Sequence, residues 1–100
     1  MKCKSYNQFF EVMANKTRLK IIESLLESPK CVSDICSDVG EEQSTVSHNL
    51  KMLHNCHFVE KKTDGKRRIY SLNEITIKPL MKIVDKHVGA HCTRKCWVKK

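Results

Sequence analysis

Thiols and imidazoles are the side chains of this 100-residue sequence best able to hold a ligand, and their spacing sorts them into groups. The cysteines are Cys3, Cys31, Cys36, Cys56, Cys92 and Cys96. Soft thiolates suit As(III), Cd(II) or Zn(II), and two stretches qualify as sites for such an ion. The first is Cys31-Val32-Ser33-Asp34-Ile35-Cys36. The second runs from Asp85 through His87 and His91 to Cys92 and Cys96, where His87/His91 and Cys92/Cys96 are i,i+4 pairs that share a helical face. Cys31, Cys36, His91, Cys92 and Cys96 are therefore the candidate metal or metalloid ligands. A free cysteine is equally an ordinary core side chain, and Cys36 and the solitary Cys56 both fit that role. Cys92 and Cys96, one turn apart, also suit a redox pair if the helix frays.

The N-terminal Met1-Lys2-Cys3-Lys4-Ser5-Tyr6 lacks the apolar core of a secretory signal, and no stretch approaches the ~20 apolar residues of a membrane span. The expectation is a cytoplasmic protein without membrane contact, whose thiols stay reduced. An enzyme is not expected. A Cys–His nucleophile pair needs an orienting third group, none is apparent, and there is no Cys-x-x-Cys motif.

A second set of residues suits nucleic acid. Gln43-Ser44-Thr45-Val46-Ser47-His48 gathers short hydrogen-bonding side chains, Lys51 follows one turn later, and Lys66-Arg67-Arg68 stands beside a turn. The hydroxyls alone would be a helix-capping cluster, and the cations alone a solvated turn. In this order and together they favour DNA. Composition points the same way: 19 Lys+Arg against 11 Asp+Glu gives a formal charge of +8, with a pI near 9.3. That excess favours a polyanionic partner through counterion release.

These residues need rigid carriers. Phe9, Phe10, Val12 and Met13 mark a short first helix. Asn15 is a candidate N-cap for a second, with Leu19, Ile22, Leu25 and Leu26 at helical spacing and Ser28-Pro29 as its stop. Cys31 or Ser33 opens a short third helix, with Val32, Ile35 and Cys36 inward and Gly40 at its end. A fourth begins near Gln43 or Ser44 with Val46, Leu50 and Leu53 on one face. Strands are predicted around 58–62 and 68–72, joined by a turn containing Asp64-Gly65. A last helix starts near Ile77 or Pro79 and carries Leu80, Ile83, Val84 and Val88 on its apolar face. The fold class is mainly α with a β-hairpin wing, a winged helix-turn-helix. It forms one domain over 1–100 with a cysteine- and histidine-rich C-terminal helix and tail (85–100). Gln43, Ser44, Thr45, Ser47, His48, Lys51, Lys66, Arg67 and Arg68 are the candidate DNA contacts, the helix for the major groove and the hairpin for backbone or minor groove.

Three segments carry a family resemblance. Ala14-Asn15-Lys16-Thr17-Arg18-Leu19-Lys20-Ile21-Ile22, then Gln43 through Leu53, then Gly65-Lys66-Arg67-Arg68-Ile69-Tyr70-Ser71-Leu72 resemble the ArsR/SmtB repressors. The resemblance implies a homodimer joined through first and last helices, bound to double-stranded operator DNA and released by an inducer. Within it, Cys31–Cys36 resembles the Cys-Val-Cys-Asp-Leu-Cys box of the arsenic-sensing branch with Ser33 in the middle place, which Cys3 could complete. Asp85-x-His87 matches half of the zinc-sensing site on the last helix, and the other half, near Val98, is absent. The function expected is a repressor released from its operator by a thiophilic metal or metalloid ion. The alternatives are a thiol redox-sensing regulator and a winged helix that binds protein instead of DNA.

Overall fold

The computed structural model describes residues 5–91; Cys3, Cys92, Cys96 and the rest of the C-terminal tail lie outside them. Five helices and a three-stranded sheet follow the expected order, with one additional strand. Helix α1 (Tyr6–Met13) is capped by Ser5, whose hydroxyl accepts from the Gln8 amide at 3.2 Å. Helix α2 (Lys16–Glu27) is capped by Asn15, whose Oδ1 accepts from the Arg18 amide at 3.0 Å. An N-cap of this kind satisfies an amide the helix cannot pair itself, worth about 1 kcal/mol.

After Pro29, Lys30–Cys31 forms strand β1 and leads directly into α3 (Val32–Val39). Of the two expected caps, Cys31 and Ser33, Cys31 is the N-cap residue of α3, and it belongs at the same time to the sheet, where its thiol faces the hairpin. Gly40 ends α3 in the left-handed conformation, φ 75°, with its amide on the Cys36 carbonyl at 2.8 Å. Only glycine takes that backbone without strain. Helix α4 (Gln43–Asn55) follows two residues later, completing the helix-turn-helix.

The hairpin of β2 (Val59–Asp64) and β3 (Arg67–Leu72) is longer than expected, pairing from Val59↔Leu72 to Asp64↔Arg67. Its loop is Gly65-Lys66, with Gly65 at φ 64° and Lys66 outside the positive-φ residues. Glycine first in a two-residue loop is the type II′ arrangement, whose twist matches the strands. The sheet order is β1-β3-β2, and β1 pairs Lys30↔Tyr70 and Cys31↔Ile69.

One core joins these elements. Ile21 and Ile22 of α2, Ile35 of α3, Val46, Leu50 and Leu53 of α4, and Phe58 are its most buried members. Helix α1 attaches through Val12 and through Phe9, whose ring lies 5.0 Å from that of Phe58. Helix α5 (Ile77–His91) buries only Ile77 and Met81. Leu80 is half-buried, and Ile83, Val84 and Val88 of its apolar stripe stand exposed to solvent. The predicted apolar face exists, but the described residues of the chain leave it uncovered. No helix among the described residues is long and apolar enough to cross a membrane.

Candidate nucleic-acid interface

Burial of Val46, Leu50 and Leu53 turns the opposite face of α4 outward, toward the hairpin. An open groove of about 840 Å³ lies between them. Gln43, Ser47 and Lys51 line one wall, with His54 and Asn55 continuing the row one turn on. Lys61, Lys66, Arg67, Arg68 and Tyr70 of the hairpin line the other, and Cys31, Val32 and Ser33 form the floor. No carboxylate lines it among the described residues, so the groove carries a positive field suited to phosphate.

Of the predicted contacts, Gln43, Ser47, Lys51, Lys66, Arg67 and Arg68 are brought together here. Ser44, Thr45 and His48 lie on the other flank of α4. Ser44 and His48 are exposed, Thr45 is half-buried, and His48 borders a smaller recess of about 220 Å³ with Lys51, Met52 and Asn55. His54, Asn55 and Lys61 were not among the predicted contacts. The helical row from Ser47 through Lys51 to His54 and Asn55 was readable, whereas Lys61 needed the strand register that sets it opposite Tyr70.

The floor couples a thiol to the wing. Arg67 Nη2 donates to Cys31 Sγ at 3.4 Å, and Ser33 Oγ lies 3.3 Å from the same sulfur. The Ser33 hydroxyl first, then the Arg67 guanidinium, hold the Cys31 thiol below its ordinary value of 9.0. Strand β1 is anchored from behind by Lys30. Its ammonium donates to the Ser24 carbonyl and pairs with Glu27 at 3.4 Å and Asp38 at 3.5 Å, while Ser24 Oγ donates to Asp38 at 2.7 Å. Cys36, by contrast, packs against the core. On α5 the rings of His87 and His91 lie 4.9 Å apart. No group of three or more His, Cys, Asp or Glu able to hold a metal ion occurs among the described residues.

Residues 15–61 match the model of the bacterial regulatory proteins of the arsR family. The cadmium resistance transcriptional regulatory protein CadC of Listeria innocua is 34% identical over 80 residues, covering 79% of this chain and 67% of that protein. This chain belongs to the arsR family. The crystal structure of Rv0081 from Mycobacterium tuberculosis superposes with a TM-score of 0.78 at 32% identity, covering 84% of this chain and 85% of that one. A winged helix-turn-helix DNA-binding domain from Mycobacterium bovis, described as homodimeric, superposes at TM-score 0.71 and 26% identity over 84% of this chain and 82% of its own. The arsR-family chain is thus a DNA-binding transcriptional repressor built on a winged helix, in a class of regulators and not of enzymes.

Proposed function

We propose that the chain binds operator DNA as a cytoplasmic homodimer and lets go when a thiophilic ion, Cd(II) foremost and As(III) or Zn(II) next, engages its cysteines. One observation carries the DNA reading: the α4 face and the cationic hairpin enclose a single groove without a carboxylate on its walls. In the assignment we favour, Gln43, Ser47 and Lys51 approach base edges, with Ser44, Thr45 and His48 on the outer flank of the same helix. Lys61, Lys66, Arg67 and Arg68 take phosphates. The dimer is supported by apolar side chains left bare on two helices, Tyr6 and Phe10 on α1 and Ile83, Val84 and Val88 on α5. A two-fold pair presents two reading helices about 34 Å apart, one DNA turn.

Support for the ion comes from the cadmium-resistance relative and from Cys31, a half-buried thiol on the groove floor that is eased toward thiolate. Thiolate is the form that ligates soft ions. Loss of the Cys31 sulfur as an acceptor frees Arg67 from its place on the wing. Cys31 alone cannot hold an ion, and the set is completed from Cys36, His91, Cys92 and Cys96, within one chain or across the pair.

The test begins by selecting duplexes from a random library with the reduced protein and measuring affinity against salt. A defined sequence with a steep salt dependence is expected; equal, salt-insensitive binding to all duplexes overturns the DNA reading. The selected duplex is then titrated with Cd(II), As(III) and Zn(II) in wild type, Cys31→Ser and Cys92→Ser. Release lost in either variant supports the ion site. Release unchanged in both removes it, and release by peroxide alone transfers the role to thiol oxidation.

A further inference from the structure

Arg18 lies on neither wall of the groove, yet its guanidinium ties two helices together. Nε donates to the Val12 carbonyl at 2.6 Å and Nη2 to the Glu11 carbonyl at 3.3 Å. Both acceptors sit in the last turn of α1, where carbonyls have no partner within the helix. Nη1 donates to Asn49 Oδ1 at 3.2 Å, and Asn49 Nδ2 donates in turn to the Thr45 carbonyl at 2.9 Å. Asn49 is one of only two buried polar side chains among the described residues, on the inward face of the reading helix. A rigid planar fork reaches all three acceptors at once; a lysine ammonium is a point donor on a flexible stem and does not.

Helix α1 also packs on the body through the apolar side chains of Val12, Phe9 and Met13. Apolar packing holds a helix in place without fixing its direction, whereas two hydrogen bonds from one guanidinium plane to α1 and a third to Asn49 tie that direction to α4. Helix α1 also carries the exposed Tyr6 and Phe10, which places one end of this link at the face offered to a second copy. The other end is Asn49 itself, on α4, whose own bond to the Thr45 carbonyl is internal to that helix.

We propose that Arg18 is a positioning residue that transmits the placement of α1 to the reading helix through Asn49. It thereby sets the separation at which a dimer presents its two reading helices. The proposal rests on the DNA-binding dimer described above and deepens it by naming what fixes half-site spacing.

The experiment uses the duplex selected by the wild-type protein, the same duplex with its centre lengthened or shortened by single base pairs, and a scrambled duplex. Arg18→Lys keeps the charge and loses the fork. It is expected to remain a folded dimer, to bind the selected duplex roughly 10-fold more weakly with scrambled DNA unaffected, and to discriminate far less among spacer lengths. Asn49→Asp keeps the acceptor for Arg18 and loses the donor to Thr45. It is expected to melt at a lower temperature yet keep the wild-type spacer preference. A purely structural role predicts the reverse pattern, with affinities for selected and scrambled DNA falling together as the melting temperature falls. That result, a wild-type spacer preference in Arg18→Lys, or failure of Arg18→Lys to fold overturns the proposal. Failure of the wild-type protein to select any duplex overturns instead the DNA reading beneath it.

Discussion

Helices α4 and α5 are similar in length, 13 and 15 residues, and both carry aliphatic side chains at helical spacing, but they spend those faces differently. Val46, Leu50 and Leu53 of α4 are 0% exposed within their own chain, whereas Ile83, Val84 and Val88 of α5 are 65%, 37% and 47% exposed. Spacing tells that a face seeks cover. It does not tell which chain supplies the cover. Because α4 is sealed from behind by its own core, its polar face is held rigidly for reading. Because α5 is not, its stability and that of any assembly are coupled.

The strongest test of this contrast replaces one residue on each helix. Leu50→Ala should cost about 2–5 kcal/mol in urea unfolding, since it opens a cavity in a closed core. Ile83→Ala, measured at a dilution where only single chains remain, should stay within about 0.5 kcal/mol of wild type. Equal costs would break the contrast. Next in size is the assembly itself. Ile83→Glu with Val88→Glu should weaken self-association by roughly 30-fold or more in sedimentation, the scale of one buried hot spot, with the melting temperature of the dilute chain unmoved. Unaltered association would mean that the α5 stripe is not at the seam.

The parts of the molecule legible in sequence are those whose cause is local. Asn15 caps α2 because its side chain reaches the amide three residues on, Gly40 stops α3 because only glycine sits easily at φ 75°, and the α4 periodicity marks a buried face. The parts that were not legible depend on partners far along the chain. Strand β1 is two residues long and exists only because β3, nearly 40 residues away, pairs with it, so the sequence showed Cys31 at the start of α3 but not the groove floor that it also forms. The link from Arg18 to Asn49 spans 31 residues and leaves no periodic trace. Half of the candidate DNA contacts on α4 proved to face the groove, and half its outer flank, because the hairpin's position chooses between them.

The end of α4 also has a local cause, although no glycine marks it: the helix stops at Cys56. His57 occupies the left-handed position, φ 63°, with its amide on the His54 carbonyl at 3.0 Å, while the Phe58 amide meets the Leu53 carbonyl at 2.8 Å. That pair of bonds is a Schellman stop, and Phe58 packs as its hydrophobic partner. A side chain in this conformation costs about 1–2 kcal/mol, and glycine regains part of that after its larger unfolded-state entropy. His57→Gly should therefore stabilise the chain by up to ~1 kcal/mol, raising the melting temperature by a few degrees at any protein concentration. A lowered melting temperature would show that the imidazole contributes contacts worth more than the strain.

The smallest expected effect separates chain-internal from assembly-borne stability by pH. Ser24 Oγ first, and the Lys30 ammonium second, hold the Asp38 carboxyl below its ordinary value of 3.8. The folded chain therefore binds this proton less readily than the unfolded chain. Its contribution is fully present above about the unfolded value and is lost as pH falls through the lower folded one. Asp38 is 43% exposed and solvent screens it, so the effect is modest. Urea unfolding of wild type and Asp38→Asn should differ by a constant amount from pH 7 to pH 5, and the two curves should converge below pH 4. The convergence should be the same at every protein concentration, because Ser24, Lys30 and Asp38 belong to one chain. Parallel curves down to the lowest pH would mean that the carboxylate gains nothing from its neighbours, leaving β1 held by Lys30's bonds to Ser24 and Glu27 and by its pairing with β3.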